Sequence, residues 1–231
     1  MPAEKTGCVL CGHDIAYDSQ PTLRTCVICG AAKMTDSCCE EGHYVCDECH
    51  RGDILAIAGR LLSNSEEKDP VRLAISVFEL PGLKMHGPEY HSLVPAILVA
   101  AYQNFKGYRD ENEILEAIRR GKDFRGGSCG LAGTCGACAG AGIAASVVRK
   151  ATPLAGAARS VANRVTGTAL LDMSDHGGAR CCKREAITAI RAYMAVTGDF
   201  GDMEPTAYHC RQSLDNKDCI GIRCPYFAVR H

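Results

Sequence analysis

Cysteine placement constrains this chain more than any other feature. Of 231 residues 16 are cysteine: eight lie in residues 1–49, none in 50–128, and eight in 129–224. The opening residues MPAEKTGCVLCG lack the basic-then-apolar pattern of a secretory signal. Metal ligation is therefore the stronger expectation for these thiols, and disulfide staples the weaker. A cytoplasmic location follows on the same ground, and so large a stock of reduced thiols points to an anaerobe.

Residues 1–50 read as a zinc module. Cys8-x2-Cys11 and Cys26-x2-Cys29 each precede glycine, in CVLCG and CVICG, and their separation is close to that of structural zinc sites. CCEEGHYVCDECH then adds Cys39, His43, Cys46 and Cys49. Four ligand pairs suffice for two tetrahedral zinc ions. So short a segment buries little core, so the metal would supply most of its folding free energy. Pairing one with two and three with four gives a ribbon followed by a treble-clef-like site. Pairing one with three and two with four gives a cross-brace, and spacing does not choose. Cys38 and His50 are left over as bystanders or alternate ligands.

The remainder reads as mainly helical. Ile54, Leu55, Ile57, Ala58, Leu61 and Leu62 share one helical face, and the polar Ser63–Asp69 is the expected domain boundary. The predicted organisation is a zinc module over 1–50, a helix and linker over 51–69, and a mainly helical domain over 70–231. Helices are expected over Pro70–Leu80, from His91 for about four turns, over Arg109–Gly121, and through the alanine-rich Ala151–Asp175 beyond Pro153. In LPGLKMHGPEYH, His86 and His91 stand on or beside a constrained loop with Glu89. Histidine suits proton transfer near neutral pH, although His91 could equally cap its helix. No apolar run reaches the ~20 residues of a membrane span. A net charge of −1 gives no strong nucleic-acid signal.

Gly126–Val148, GGSCGLAGTCGACAGAGIAASVV, sets Cys129, Cys135 and Cys138 among small residues and leads into an apolar helix. Glycine admits close approach to a bulky inorganic group, and a helix start offers amide donors and a positive dipole end. Three soft ligands there suit an iron–sulfur cluster. The alternative is a tight helix–helix contact with buried cysteines. Cys181-Cys182 opens a further helix, where one of the two thiols is the expected ligand. Cys210, Cys219 and Cys224 lie in the tail.

Two resemblances rest on these motifs. CxxGHYVCDECH, MHGPEYH, CGLAGTCGACAGAGI and HGGARCCKRE together resemble an uncharacterised cysteine-rich family of methanogens and other anaerobes. Its members occur alone or joined to methyltransferase domains that use S-adenosylmethionine. GTCGACAGAGIAASVV and ALLDMSDHGGARCCKREAITAI are similar to the two cluster-holding regions of the iron–sulfur L-serine dehydratase α domain. That resemblance implies a 4Fe–4S cluster with an open iron that binds substrate. Cys135 or Cys138 matches the first region, and Cys181 or Cys182 the second. The family's remaining cysteine is matched by Leu171, so a third ligand has to come from elsewhere, with Cys210, Cys219 and Cys224 available.

The fold class expected is mainly α, a helical cluster-binding domain behind a small zinc-binding, ribbon or treble-clef-like module. The expected cofactors are two zinc ions and one 4Fe–4S cluster, with a second if the tail cysteines hold their own. The leading functional expectation is lyase or sulfur-transfer chemistry on a small molecule or RNA. His91, His86 and Lys183 are the catalytic candidates, and Arg180 or Lys183 would bind a substrate anion. The alternative is a metal-stabilised adaptor or electron carrier for a methyltransferase or redox partner. A third reading has every thiol on zinc or reduced in the core.

Overall fold

The computed structural model describes residues 8, 10, 11, 13–46, 49, 53–80 and 82–228. His50 lies outside them. Among the described residues there are two strands and eight α-helices, so the protein is mainly helical behind a small cysteine-rich module.

Strand β1 (Ile15–Thr25) pairs antiparallel with β2 (Ala32–Cys39), with Leu23 opposite Met34 and an irregularity between Tyr17 and Thr22. The hairpin is largely exposed on both faces. Its turn is Cys26–Ala31, the second Cys-x2-Cys-Gly element, closed by Cys26 N–H to Ala31 O at 2.9 Å. The buried side chains of this region are Cys8, Cys26, Ile28, Cys39, Cys46 and Cys49. The ligands themselves are thus nearly all of its interior.

The helical body is built around α3 (Glu89–Lys106), in which an unbroken run from Tyr90 to Ala101 is buried. Helices α1 (Ile54–Asn64), α2 (Pro70–Phe78), α4 (Glu111–Gly121), α6 (Gly136–Val148) and α8 (Cys182–Thr197) all pack on it. Helix α7 (Gly156–His176) covers α6 and α8, with Val165 and Ala169 fully buried and Val161, Ala162, Leu170 and Met173 half-buried against the core. The single turn α5 (Ser128–Leu131) precedes α6.

The glycine-rich stretch makes the tight helix–helix contact that is one of its two readings from sequence. Helix α6 runs almost wholly buried, and a Cβ on Gly136 would overlap the imidazole of His91. Gly121 serves α4 in the same way, since a Cβ there would overlap the α3 backbone at His91 and Ser92. Small residues thus bring three helix backbones within a distance that side chains would forbid.

Ser63–Asp69 is pinned to the helical body. Asn104 Nδ2 donates to Ser65 O and Glu67 O at 3.0 and 2.9 Å, and Arg109 Nη1 donates to Ser63 O at 2.9 Å. Asp69 caps α2 through Val71 N–H at 2.8 Å and also accepts from Thr206 N–H at 2.7 Å. That second bond draws the tail back across the start of α2. After α8 the chain has little regular structure among the described residues: a 3₁₀ turn at Gly221–Arg223 and a bridge between Cys210 and Phe227.

Candidate metal and catalytic sites

The eight N-terminal ligands form two groups that could hold metal ions, Cys8, Cys11, Cys39 and His43 in one and Cys26, Cys29, Cys46 and Cys49 in the other. The four pairs therefore interleave, one with three and two with four, which is the cross-brace of the two pairings the spacing allowed. Within each group every ligand atom lies within 4.8 Å of the others. Cys11 and Cys39 sulfurs are 3.8 Å apart and those of Cys29 and Cys46 3.7 Å. His43 Nδ1 is 3.4 Å from Cys39 Sγ and 3.9 Å from Cys8 Sγ. Around a tetrahedral zinc with Zn–S near 2.3 Å the sulfur–sulfur edge is about 3.8 Å. Cys38 belongs to neither group.

Local backbone prepares these thiols for metal. Burial alone would raise the Cys8 thiol, but backbone amides of Cys11 and Leu10 outweigh it and bring it down to about 7. Burial likewise opposes, and the amides of Cys46, Cys29 and Ile28 overcome, in lowering Cys26 to about 7. Arg60 Nη1 on α1 donates to Cys49 Sγ at 3.5 Å, so the second group abuts the helical body.

Seven of the eight C-terminal cysteines divide between two cavities. The larger, a cleft of ≈ 590 Å³, is lined by Cys129, Cys135 and Cys182 together with His91, Arg180 and Glu185. Three helices begin at it: α3 brings Tyr90 and His91, α6 begins at its N-cap Cys135, and α8 begins at Cys182. Their positive ends and free amides favour thiolates and anions in the space between them. Cys129 reaches the cleft from α5 and completes the three thiols.

The cleft's charged and titratable groups are held in different ways. His91 is buried, and its Nδ1 donates to Phe124 O at 3.0 Å, which leaves Nε2 as the basic nitrogen of the neutral ring. Cys135 is brought down to about 7 chiefly by a hydrogen bond from the Cys138 thiol, against the effect of burial. Burial pushes Cys182 up to about 11. Glu185 accepts from Arg184 Nη2 at 2.7 Å and from the Cys181 amide at 3.3 Å, which fixes the start of α8. Arg180 is exposed at the edge of the cleft.

Other sequence candidates lie elsewhere. Cys138 is fully buried between helices, with its Sγ 3.4 Å from Ala169 O on α7. His86 Nε2 bonds Asn216 Oδ1 at 3.1 Å, on the tail side of the molecule. Cys181 and Lys183 line the second cavity with Cys210, Cys219 and Cys224. Among the described residues no group drawn from the eight C-terminal cysteines converges to within 4.8 Å as the N-terminal ligands do. Sequence alone leaves Cys181 and Cys182 as alternatives, whereas the helix start turns them toward different cavities.

A family model described as a family of unknown function (DUF5714) matches residues 59–227. The chain belongs to that family. The match spans both C-terminal cavities, while the ligands Cys8 to Cys49 precede it. No curated protein and no solved structure matches the chain. The DUF5714 assignment agrees with the expectation of an uncharacterised domain family. Among the described residues no helix is long and apolar enough to cross a membrane.

Proposed function

We propose that the DUF5714 portion is an iron–sulfur enzyme whose cleft holds a 4Fe–4S cluster on Cys129, Cys135 and Cys182, with one iron left for substrate. The observation that carries this reading is the number of thiols in the cleft. Three cysteines from three elements line it, and its remaining wall carries His91, Arg180 and Glu185. A fourth cysteine would close the cluster, and Cys138, the nearest candidate by sequence, lies behind Cys135 and does not line the cleft. The sulfurs stand wider than a single ion draws its ligands, and ≈ 590 Å³ leaves room for a small molecule beside the cluster. An iron with an open position supplies Lewis-acid chemistry toward a hydroxyl or carboxylate, or binds sulfide.

The protein side of such chemistry falls to few groups. His91, oriented by Phe124 O, is the proton carrier, its Nε2 free to accept. Arg180 at the exposed rim receives the anionic end of a substrate. The Arg184–Glu185 pair is committed to the start of α8 and serves position rather than turnover. This suits a lyase acting on a small hydroxy acid, or sulfur transfer or removal. The two N-terminal groups are read as structural zinc sites, since each has four protein ligands and leaves no position for substrate.

Strictly anaerobic protein with its cluster intact tests the reading. Small hydroxy acids or sulfide should change its visible and paramagnetic resonance spectra, and His91→Ala should keep that response while losing turnover. A cluster that ignores every such ligand would point instead to an adaptor or electron carrier. The exposed apolar pair Leu23 and Met34 on the hairpin is the observation that favours that second reading.

A further inference from the structure

The tail cavity is a site in its own right. It is a void of ≈ 20 Å³ lined by the sulfur-bearing residues Cys181, Cys210, Cys219 and Cys224, with Lys183, Tyr208 and Tyr226 among the walls. We propose that these four cysteines hold a second iron–sulfur cluster, a 4Fe–4S centre with every iron ligated by the chain, beside the open cluster of the cleft.

Four observations carry the assignment. First, three of the cysteines come from separate points of a tail with little regular structure, and Cys181 from the start of α8. Cys210 is fixed by its amide to Tyr226 O at 2.7 Å, and Cys224 by its amide to Gly221 O at 2.9 Å. Gly221 N–H points at Cys219 Sγ at 3.4 Å, the kind of donor that stabilises a metal-bound thiolate. Such a segment lacks the apolar core to hold this shape alone, and a cluster would staple it.

Second, Lys183 faces this cavity while only 4% exposed. Its Nζ reaches Phe78 O at 3.4 Å and lies 5.6 Å from the Phe78 ring centre, and no ion pair to it occurs among the described residues. A buried ammonium without an anion is costly, and a cluster bound by four thiolates carries net negative charge. Third, the four cysteines line a void. A single ion draws its thiolates into contact, as the N-terminal groups are arranged, whereas a cubane core holds its ligands apart with itself in the middle. Fourth, aromatic rings form part of the wall. Tyr208 stacks edge-on between Phe78 and Tyr226, with ring centres 6.2 and 5.6 Å away. Closed ligation within an apolar shell suits a centre that carries electrons or stabilises structure and binds no substrate.

Consecutive residues thus serve two clusters. Cys181 is the N-cap of α8 and Cys182 its first residue, and the two thiols enter different cavities. The two proposed clusters would be linked through the peptide unit between Cys181 and Cys182.

The test uses the full chain, purified without oxygen. About eight irons and eight sulfides per chain are expected beside the zinc. Dithionite reduction should give a paramagnetic spectrum broadened by coupling between two neighbouring centres. Cys219→Ser should remove about half the iron and leave the response to hydroxy acids or sulfide. Cys135→Ser should abolish that response and leave about four irons. Cys38→Ser, a cysteine outside both cavities and both N-terminal groups, should keep the full complement. About four irons in the unaltered protein, lost with Cys135→Ser and kept with Cys219→Ser, would overturn the second cluster, as would a third zinc in place of iron. If Cys219→Ser does not fold, the iron count and the coupling in the unaltered protein decide. About four irons kept by Cys135→Ser and lost with Cys219→Ser would uphold the tail cluster and reject the open one.

Discussion

At the scale of single residues, the missing side chain of Gly136 matters as much as any ligand. Its hydrogen leaves room for the His91 ring, and its neighbour Cys135 faces the same cleft. Gly136→Ala should therefore displace the imidazole, loosen the bond from Nδ1 to Phe124 O, and cost about 1–3 kcal/mol of stability. Gly130→Ala, where a Cβ meets nothing within 4 Å, is the matched control. Thermal unfolding of the two variants checks this: equal melting points would mean that the ring can relax freely. The sequence marks His91 and His86 as equals because they stand five residues apart. They separate only in three dimensions, since His91 lies in the first turn of α3 while His86 sits in the preceding bend and turns to Asn216. No local pattern encodes that difference, because the tail residue that holds His86 is 130 positions away in sequence.

At the scale of elements, the helices are legible where their own pattern fixes them. Helix α4 carries acidic residues in its first turn and arginines in its last, and it buries Ile114, Ala117 and Ile118 on one stripe. Its boundaries differ from the sequence expectation by two residues at the start, where Asp110 takes the cap through Asn112 N–H at 2.9 Å. The pairing of the candidate metal ligands is not legible, because it depends on how a hairpin folds over a turn and spacing permits both solutions. The role of Asp69 is hidden for a similar reason. As the cap of α2 it reads as an ordinary helix start, yet its second oxygen holds Thr206 and with it the beginning of the tail. Asp69→Ala removes both functions and strands buried amides, so a loss of about 2–3 kcal/mol is expected in urea unfolding. Asp69→Asn keeps an acceptor for one set of amides and should lose distinctly less. Identical losses in the two variants would show that the tail bond contributes nothing.

At the scale of the whole molecule, two kinds of interior hold the chain together. The helical body buries a continuous apolar core around α3, which stands without metal by hydrophobic burial. The N-terminal module has almost no interior apart from its ligands, and its hairpin faces are exposed. Its link to the body is short: Ile28, Cys26, Cys46 and Cys49 join the same core that holds Ile57 and Ala58, and Arg60 reaches Cys49. Removal of the proposed zinc should therefore have unequal effects. A zinc-selective chelator added without oxygen should release both ions and open the hairpin to protease between residues 13 and 46. The far-UV helical signal should persist, because the module meets the body at one edge of α1, whereas the helices pack on one another through α3. Equal loss of helix and hairpin would mean that the shared core makes one cooperative unit. Two opposing quantities decide between these outcomes. Structural zinc contributes roughly 10–16 kcal/mol per site in isolated fingers, whereas the shared core amounts to a few buried side chains at about 1.5–3 kcal/mol each. The larger number belongs to the metal, so the module should unfold first and leave the helical body standing.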